Sequence, residues 1–291
     1  MKKIIVIIFA VFAFFLLGIN GCQKEVVEKA NGLVINFVDM APPSTIMTSQ
    51  TFPVYVDIEN KGEGNIDSGE AKFYLKGVGE NIKDIQTKLS NSVFLEQWRG
   101  TERLVFATKA KSPLELKDSY IFPLVLVACY NYGTFTQIPV CIAKNESDVC
   151  DIEGEKVTST SNSVAPIQVT SLKENIIGNK IVIEFVVENK GVGEKAGNVY
   201  LENANCDILQ DETHDEYINE LLKEGKINID IKTEEGFTCK PNGELSLKSG
   251  GNGNVICEKI LGKDDHASLF TITMNYKYID SISKVITLMP Q

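Results

Sequence analysis

The sequence predicts an all-β chain built from two tandem β-sandwiches. Three observations support this: a phrase that occurs twice, period-two alternation in each copy, and seven cysteines, six of them beyond the N-terminal segment, in a chain that begins like an exported protein. The phrase reads VYVDIENKGEG at residues 54–64 and IEFVVENKGVG at residues 183–193. Hydrophobic residues make up 43% of the 291 positions and charged residues 23%, which is enough apolar material for two folded domains.

Each copy of the phrase predicts a strand that runs into a tight turn. Alternating apolar and polar residues indicate a strand with one buried face. The Asn-Lys-Gly that follows indicates the turn, because Asn and Gly adopt positive φ at low cost. The inward-facing sets are Phe52, Val54, Val56 and Ile58 in the first copy, and Ile181, Ile183, Phe185 and Val187 in the second.

Further strands follow each copy of the phrase. Short strands are predicted at residues 71–75 and 197–201. A Tyr-x-Tyr sequence begins at Tyr130 and again at Tyr276, and each predicts a strand, a short polar turn and a returning strand. LSL and VI on either side of GGNGN, residues 250–254, predict another hairpin.

The second half carries about 17 extra residues, and these predict one α-helix at residues 213–224. Thr213 and Glu216 have the spacing of a capping box, and Gly225 can close the helix. Tyr217, Ile218, Leu221 and Leu222 form one apolar stripe. Such a helix covers an edge of a sandwich or, alternatively, binds a partner.

The chain therefore divides into five segments. These are a signal peptide or anchor helix at 1–21, a stalk at 22–31, the first sandwich at 32–145, a Ser/Thr-rich linker at 146–164, and the second sandwich with its helix at 165–291.

The N-terminus predicts export. Lys2 and Lys3 precede an apolar run, and the run ends at Ile19-Asn20-Gly21-Cys22. A positive start followed by a short apolar region is typical of a secretory signal. Ile19 to Cys22 resembles a bacterial-type lipobox, which implies that Cys22 is lipidated, although Asn20 departs from the usual small residue. An uncleaved anchor helix and an ordinary cleaved signal remain open alternatives. Membrane attachment through the lipid or the helix is the expected outcome.

Cysteine usage agrees with export. With Cys22 set aside, an even number remains, which in an exported protein predicts disulfides. Proximity in sequence suggests Cys129 with Cys141 and Cys239 with Cys257, leaving Cys150 with Cys206 to connect the halves, but fifteen connectivities are open. Asn145-Glu146-Ser147 is an N-glycosylation sequon, which matters only in a host that glycosylates exported proteins.

The strand, the EN-x-G-x-G turn and the following x-Tyr-Leu strand resemble the CARDB-like group of immunoglobulin-like domains in bacterial and archaeal cell-surface proteins. The resemblance covers residues 32–145 and 165–290. CYNYGT and PVCI within residues 129–142 also look like a recurring feature of tandem archaeal surface proteins. The resemblance implies two Ig-like sandwiches and a role in adhesion, envelope assembly or appendages. It implies no catalytic residues, and the inserted helix departs from it.

Composition and motifs argue against several function classes. A formal net charge of −10 disfavours nucleic-acid binding, which needs basic patches. Nucleophile-elbow, zinc-protease and phosphate-loop motifs are absent from the sequence, so no enzyme activity, cofactor or metal is expected. The two histidines, His214 and His266, each stand beside acidic residues, which a helix start and a polar turn explain better than a metal site.

The leading functional prediction is a non-enzymatic, membrane-tethered surface protein that acts as an adhesion or cell-envelope assembly scaffold for another surface protein. The alternative is an extracytoplasmic lipoprotein that binds a carbohydrate or another solute at the domain interface. A hydrolase is a third class, and it would need a histidine or an acid pair in a pocket. Trp98, the only tryptophan, is a candidate sugar platform if it is exposed and a core residue if it is not.

Overall fold

A computed structural model describes residues 32–144, 148–191, 197–247 and 251–291. Strands dominate these residues, and the two helices among them are short, so the all-β prediction is confirmed. The strands are β1 (Leu33–Phe37), β2 (Thr45–Met47), β3 (Thr51–Asn60), β4 (Lys72–Lys76), β5 (Lys88–Ser90), β6 (Thr101–Lys111), β7 (Tyr120–Ile142), β8 (Ile167–Ile177), β9 (Lys180–Asn189), β10 (Asn198–Tyr200), β11 (Lys226–Lys232), β12 (Thr238–Lys240), β13 (Gly243–Ser246), β14 (Asn252–Ile260) and β15 (His266–Met289). The helices are α1 (Cys206–Leu209) and α2 (Tyr217–Leu221).

The strands form three sheets, an arrangement consistent with a β-sandwich. Sheet A has the order β1-β3-β6, and sheet B has the order β12-β14-β9-β8. A larger central sheet has the order β13-β11-β15-β7-β4-β5, and β10 and β2 also pair with β15. Buried residues from all three sheets form one continuous hydrophobic core.

The sequence predicted a hairpin at each Tyr-x-Tyr segment, and this prediction is wrong. Both segments are parts of very long strands. β7 has 23 residues and β15 has 24, and they pair antiparallel along nearly their whole length, from His266 opposite Ile142 to Leu288 opposite Tyr120. At about 3.3 Å per residue, this ribbon is about 75 Å long. One strand of the ribbon comes from each half of the chain, so the halves share one sheet.

The apparent turn in β7 is a run of buried threonines. Its inner face alternates without a break through Tyr130, Tyr132, Thr134, Thr136 and Ile138, all of which are buried. Thr134 donates to Ile167 O at 2.6 Å, and Thr136 donates to Asn162 Oδ1 at 2.8 Å. Because both hydroxyls are satisfied, the polar stretch continues the strand.

The register of the ribbon is symmetric about one central pair. Asn131 lies opposite Lys277, and the Lys277 ammonium donates to Asn131 Oδ1 at 2.8 Å. On either side, Tyr130 lies opposite Tyr278, and Tyr132 lies opposite Tyr276. The repeated Tyr-x-Tyr sequences therefore pair with each other at the centre of the molecule.

The repeated Asn-x-Gly turn is explained by a hydrogen-bonded centre in each half. In the first half, Asn60 is fully buried and its amide donates to Gly64 O at 2.6 Å and to Leu95 O at 3.1 Å. Its Oδ1 accepts from the Tyr132 hydroxyl at 3.1 Å and from Gly62 N–H at 3.3 Å. The asparagine thus closes the turn and joins it to the ribbon.

The second half repeats this centre. Asn189 donates to Gly197 O at 2.7 Å and accepts from Gly191 N–H at 3.1 Å and the Tyr278 hydroxyl at 3.2 Å. A Cβ on Gly191 would lie 1.8 Å from the Tyr278 oxygen, so only glycine fits there. The inward sets predicted for β3 and β9 are buried, as expected.

All six cysteines predicted to form disulfides do so, but two of the three suggested pairings are wrong. Cys239 pairs with Cys257 as predicted. Cys129 and Cys141 both lie on the extended β7, which places about 40 Å between them, so they cannot bond. The other two bonds are Cys129–Cys206 and Cys141–Cys150.

Cys206 begins helix α1, so its disulfide fastens the inserted segment of the second half to the first half. The next residue, Asp207, accepts from Lys72 Nζ at 2.9 Å, Lys88 Nζ at 2.5 Å and the Tyr74 hydroxyl at 2.6 Å. Burial would raise the pKa of Asp207, but the hydrogen bonds from these three side chains lower it below its ordinary value. The disulfide and this charged cluster form a latch between the halves.

The predicted helix at 213–224 is shorter than expected. Within that range only Tyr217–Leu221 is helical, with Glu216 as its N-cap and no side-chain cap. Thr213 instead bonds to Asp211 Oδ1 at 2.6 Å, so the capping box does not form.

The predicted GGNGN hairpin is also corrected. The strand before it, β13, lies in the central sheet, and the strand after it, β14, lies in sheet B. The connection therefore crosses between two layers. Residues 248–250 of this connection lie outside the described residues.

Candidate functional site

The strongest candidate surface is the loop at residues 91–100, called the aromatic loop below. It presents Val93, Phe94 and Trp98, which are 44%, 50% and 45% exposed. The segment is a loop in which Leu95 is fully buried and bridged to Ile66. Trp98 is therefore a surface residue, which decides between the two alternatives that the sequence left open.

Buried polar residues hold the beginning of the aromatic loop in place. Asn91 is 2% exposed and accepts from Gly69 N–H at 3.1 Å and Ala71 N–H at 3.0 Å. Its amide donates to Asp67 O at 2.8 Å and to Val93 O at 3.0 Å. Every hydrogen-bonding group of this side chain is used, so the apolar pair that follows is carried on a fixed base.

The end of the loop is fixed by backbone contacts to the first Asn-x-Gly turn. Trp98 N–H donates to Gly62 O at 3.1 Å, and Asn60 N–H donates to Gly100 O at 2.8 Å. Trp98 has φ of 64°, a conformation that costs energy for a bulky residue and persists only where the surroundings impose it. A Cβ on Gly100 would lie 2.4 Å from Leu95 Cα, so glycine is required there.

The aromatic loop can therefore act as a preorganised apolar contact. Exposed aromatic side chains on a rigid base lose little entropy on binding and are typical anchors of protein interfaces. Glu96 and Arg99 lie in the same loop and are exposed, so charged groups flank the apolar side chains. The sequence analysis named Trp98 as a candidate but did not single out Phe94.

A cavity of about 120 Å³ lies between the two halves. Its polar lining includes Asp280, Tyr130 and Tyr278, and its apolar lining includes Leu33 and Ile282. This volume is below the roughly 300 Å³ of ordinary ligand pockets, so a sugar does not fit. A larger open groove of about 630 Å³ on the outer face of sheet A is lined by charged and polar residues and Ile58, with no aromatic residue.

The histidines make contacts within the chain. His214 Nδ1 accepts from Glu216 N–H at 3.1 Å. His266 Nε2 lies 2.8 Å from Glu234 Oε2, and its Nδ1 lies 3.2 Å from Asp264 O. The hydrogen bond to Glu234, followed by that to Asp264, raises the pKa of His266. Within the described ranges, no group of three or more His, Cys, Asp or Glu side chains is arranged to hold a metal ion.

Glu174 is an acid buried beside the Cys141–Cys150 disulfide. Its Oε1 accepts from Cys141 N–H at 3.0 Å, and Lys156 Nζ lies 3.9 Å from Oε2. Oε2 is the one buried side-chain oxygen without a hydrogen-bond partner among the residues that the structure describes. Burial raises the pKa of Glu174 to about 7, against the lowering effects of the Cys141 amide and Lys156.

Two predicted modification sites, Cys22 and Asn145, lie outside the described residues. The three disulfides indicate an oxidising, extracytoplasmic environment. None of the helices in the described ranges is long and apolar enough to cross a membrane.

No family model matches this chain, and no curated protein matches it.

Proposed function

We propose that the chain is a non-enzymatic, membrane-tethered surface protein that acts as an adhesion or cell-envelope assembly scaffold. In this proposal Cys22 carries a lipid or the N-terminal apolar run serves as an anchor. The two halves are Ig-like sandwiches of the CARDB-like kind that share the β7–β15 ribbon. The protein acts by display: a stiff, disulfide-bonded body presents a contact surface to a partner.

The observation that carries this proposal is the aromatic loop. Phe94 and Trp98 are about half exposed, yet the backbone beneath them is fixed by buried Asn91 and by the first Asn-x-Gly turn. Exposed aromatic side chains on such a rigid base are typical of protein-binding surfaces. The partner is therefore proposed to be another envelope or surface protein that offers an apolar pocket to these side chains.

The ribbon supports the proposal by supplying rigidity. Its length of about 75 Å follows from 23 paired residues at about 3.3 Å each. The Cys129–Cys206 disulfide and the Asp207 cluster hold the halves together. A rigid body that keeps the aromatic loop in a fixed orientation is what a scaffold needs.

Site-specific photocrosslinking in intact cells tests the proposal. A photoreactive amino acid replaces Phe94 or Trp98 in separate variants, and cross-linked proteins are identified by mass spectrometry. Phe135 is the matched control, because it is an aromatic residue with 47% exposure on the ribbon. We expect the two loop positions to capture the same envelope protein and the control position not to capture it.

Truncation of the aromatic side chains completes the test. The Phe94→Ala, Trp98→Ala double variant should lose at least tenfold in binding to the captured protein, while Phe135→Ala should bind normally. Each aromatic anchor in an interface contributes about 1–2 kcal/mol or more, so a tenfold loss is a conservative expectation. Unchanged binding by the double variant, or equal capture at position 135, would contradict the proposal.

A further inference from the structure

The cavity between the halves differs from its counterpart on the other side of the central pair. At that counterpart, Tyr276 lies beside Thr134 and receives the N–H of Ile167 at 3.4 Å. The Thr134 hydroxyl lies 3.0 Å from the Tyr276 oxygen and donates to Ile167 O. These contacts fill the space with the chain's own satisfied polar groups.

On the cavity side, the corresponding groups are left with unused hydrogen-bonding capacity. Tyr130 receives Leu33 N–H at 3.2 Å, as Tyr276 receives Ile167 N–H. Asp280 stands at the position of Thr134, two residues after the second tyrosine of its half. Its Oδ1 accepts from Ser281 N–H at 2.7 Å, and among the described residues the carboxylate forms no ion pair. The replacement of Thr by Asp thus leaves an unpaired acid facing a small cavity.

We propose that this cavity binds a primary alkylammonium group. Asp280 supplies the negative charge, and the hydroxyl oxygens and rings of Tyr130 and Tyr278 supply hydrogen-bond acceptors and aromatic faces. Leu33 and Ile282 line the rest of the cavity and match the alkyl part of such a ligand. A volume of about 120 Å³ admits an ammonium group with a short alkyl chain.

An inorganic cation fits the lining less well. Calcium takes six to eight oxygen ligands and magnesium takes six, whereas one carboxylate lines this cavity. An ammonium group needs three acceptors and gains from aromatic faces. Burial raises the pKa of Asp280, and a cation bound beside the carboxylate would offset this effect.

The ammonium group has two candidate sources. One is a free alkylamine, and the other is a lysine side chain of the chain itself, because Gly32 lines the cavity and Lys29 and Lys24 precede it in sequence. Lys24 and Lys29 lie outside the described residues. Both sources present the same chemistry to Asp280, so the experiment distinguishes them.

Titration of the full-length chain with methylammonium chloride, followed by NMR, tests the proposal. Sodium chloride at the same ionic strength is the salt control. We expect shifts of the Leu33 and Tyr130 amides with a dissociation constant of about 1–10 mM, the range open to so small a ligand. Asp280→Thr introduces the residue found in the filled counterpart, and it should raise the dissociation constant at least tenfold. Thr134→Ser is the matched control and should bind methylammonium as the native chain does.

A Lys24→Met, Lys29→Met variant identifies the source. Binding to the unaltered chain that Asp280→Thr removes supports a free amine. Binding only to the double lysine variant, again lost with Asp280→Thr, supports occupation by the chain's own lysine. Absence of binding in both chains, equal shifts with sodium chloride, or an unchanged response in Asp280→Thr would overturn the proposal.

Discussion

Each half of the molecule contains the same kind of hydrogen-bonded centre, but the surroundings of the two centres differ. Asn60 with Tyr132 and Asn189 with Tyr278 make the same contacts to the same kind of turn. Around them, the first half carries the aromatic loop, and the second half carries the inserted segment with α1 and α2. The repeated asparagines and tyrosines close the turns and form the centre of the ribbon. What distinguishes the candidate binding surfaces is present in one half only: the aromatic loop in the first half and Asp280 in the second.

The disulfides also differ in what they connect, and this gives the largest predicted effect. Cys129–Cys206 connects the halves across 77 residues, whereas Cys239–Cys257 joins neighbouring strands of sheet B across 18. Loop-closure entropy predicts a loss of about 4–5 kcal/mol in the free energy of unfolding without the first bond and about 3 kcal/mol without the second.

Double Cys→Ala variants of each bond, unfolded in urea, measure this difference. Removal of Cys129–Cys206 also leaves α1 attached to the first half through the Asp207 cluster alone, which adds to its cost and should lower the cooperativity of unfolding. Equal losses for the two variants would show that the latch does not couple the halves.

Features set by neighbouring residues could be predicted from the sequence, and features set by contacts between the halves could not. Local patterns predicted β3 and β9 correctly, because alternation is a short-range signal. They also predicted that each strand ends at Asn-Lys-Gly, but the reason was wrong: the asparagine side chains accept from the glycine N–H groups, and neither the asparagines nor these glycines have positive φ. They failed at β7, because buried Thr134 and Thr136 resemble a turn unless their partners in the other half are known. Pairing of Cys129 with Cys206 depends on the same long-range arrangement. The exposure of Phe94 and Trp98 could not be predicted, because the conformation of the aromatic loop depends on its contacts with the Asn-x-Gly turn.

A second prediction concerns the shared centre itself. Asn60 makes four hydrogen bonds and is fully buried, while Asn189 makes three and is partly buried. At about 1 kcal/mol per bond, Asn60→Ala should lower the free energy of unfolding by about 3–4 kcal/mol and Asn189→Ala by about 2–3 kcal/mol.

Urea unfolding of the two single variants and of the double variant checks this. Because both asparagines bind tyrosines of the same ribbon, the loss in free energy of unfolding of the double variant should differ from the sum of the two single losses. Strict additivity would mean that the two centres act independently despite the shared ribbon.

The last prediction concerns the dependence of stability on pH. Burial raises the pKa of Glu174 from 4.5 to about 7. The folded chain therefore holds this proton more tightly than the unfolded chain. Its contribution to stability is complete below about pH 4.5 and is lost as the pH rises through about 7, which amounts to about 3 kcal/mol. Lys156 and Asp151 are the charged groups that act on Glu174.

Glu174→Gln should remove this part of the pH dependence, because glutamine stays neutral and its Oε1 can still accept from Cys141 N–H. The free energy of unfolding is measured from pH 4.5 to 8 for both chains. The variant should become more stable relative to the native chain as the pH rises. Glu184→Gln, at an exposed position on the neighbouring strand β9, is the matched control and should follow the native curve. Parallel curves for the native chain and Glu174→Gln would mean that Glu174 stays ionised in the folded protein. Lys156 would then be a full partner for its carboxylate.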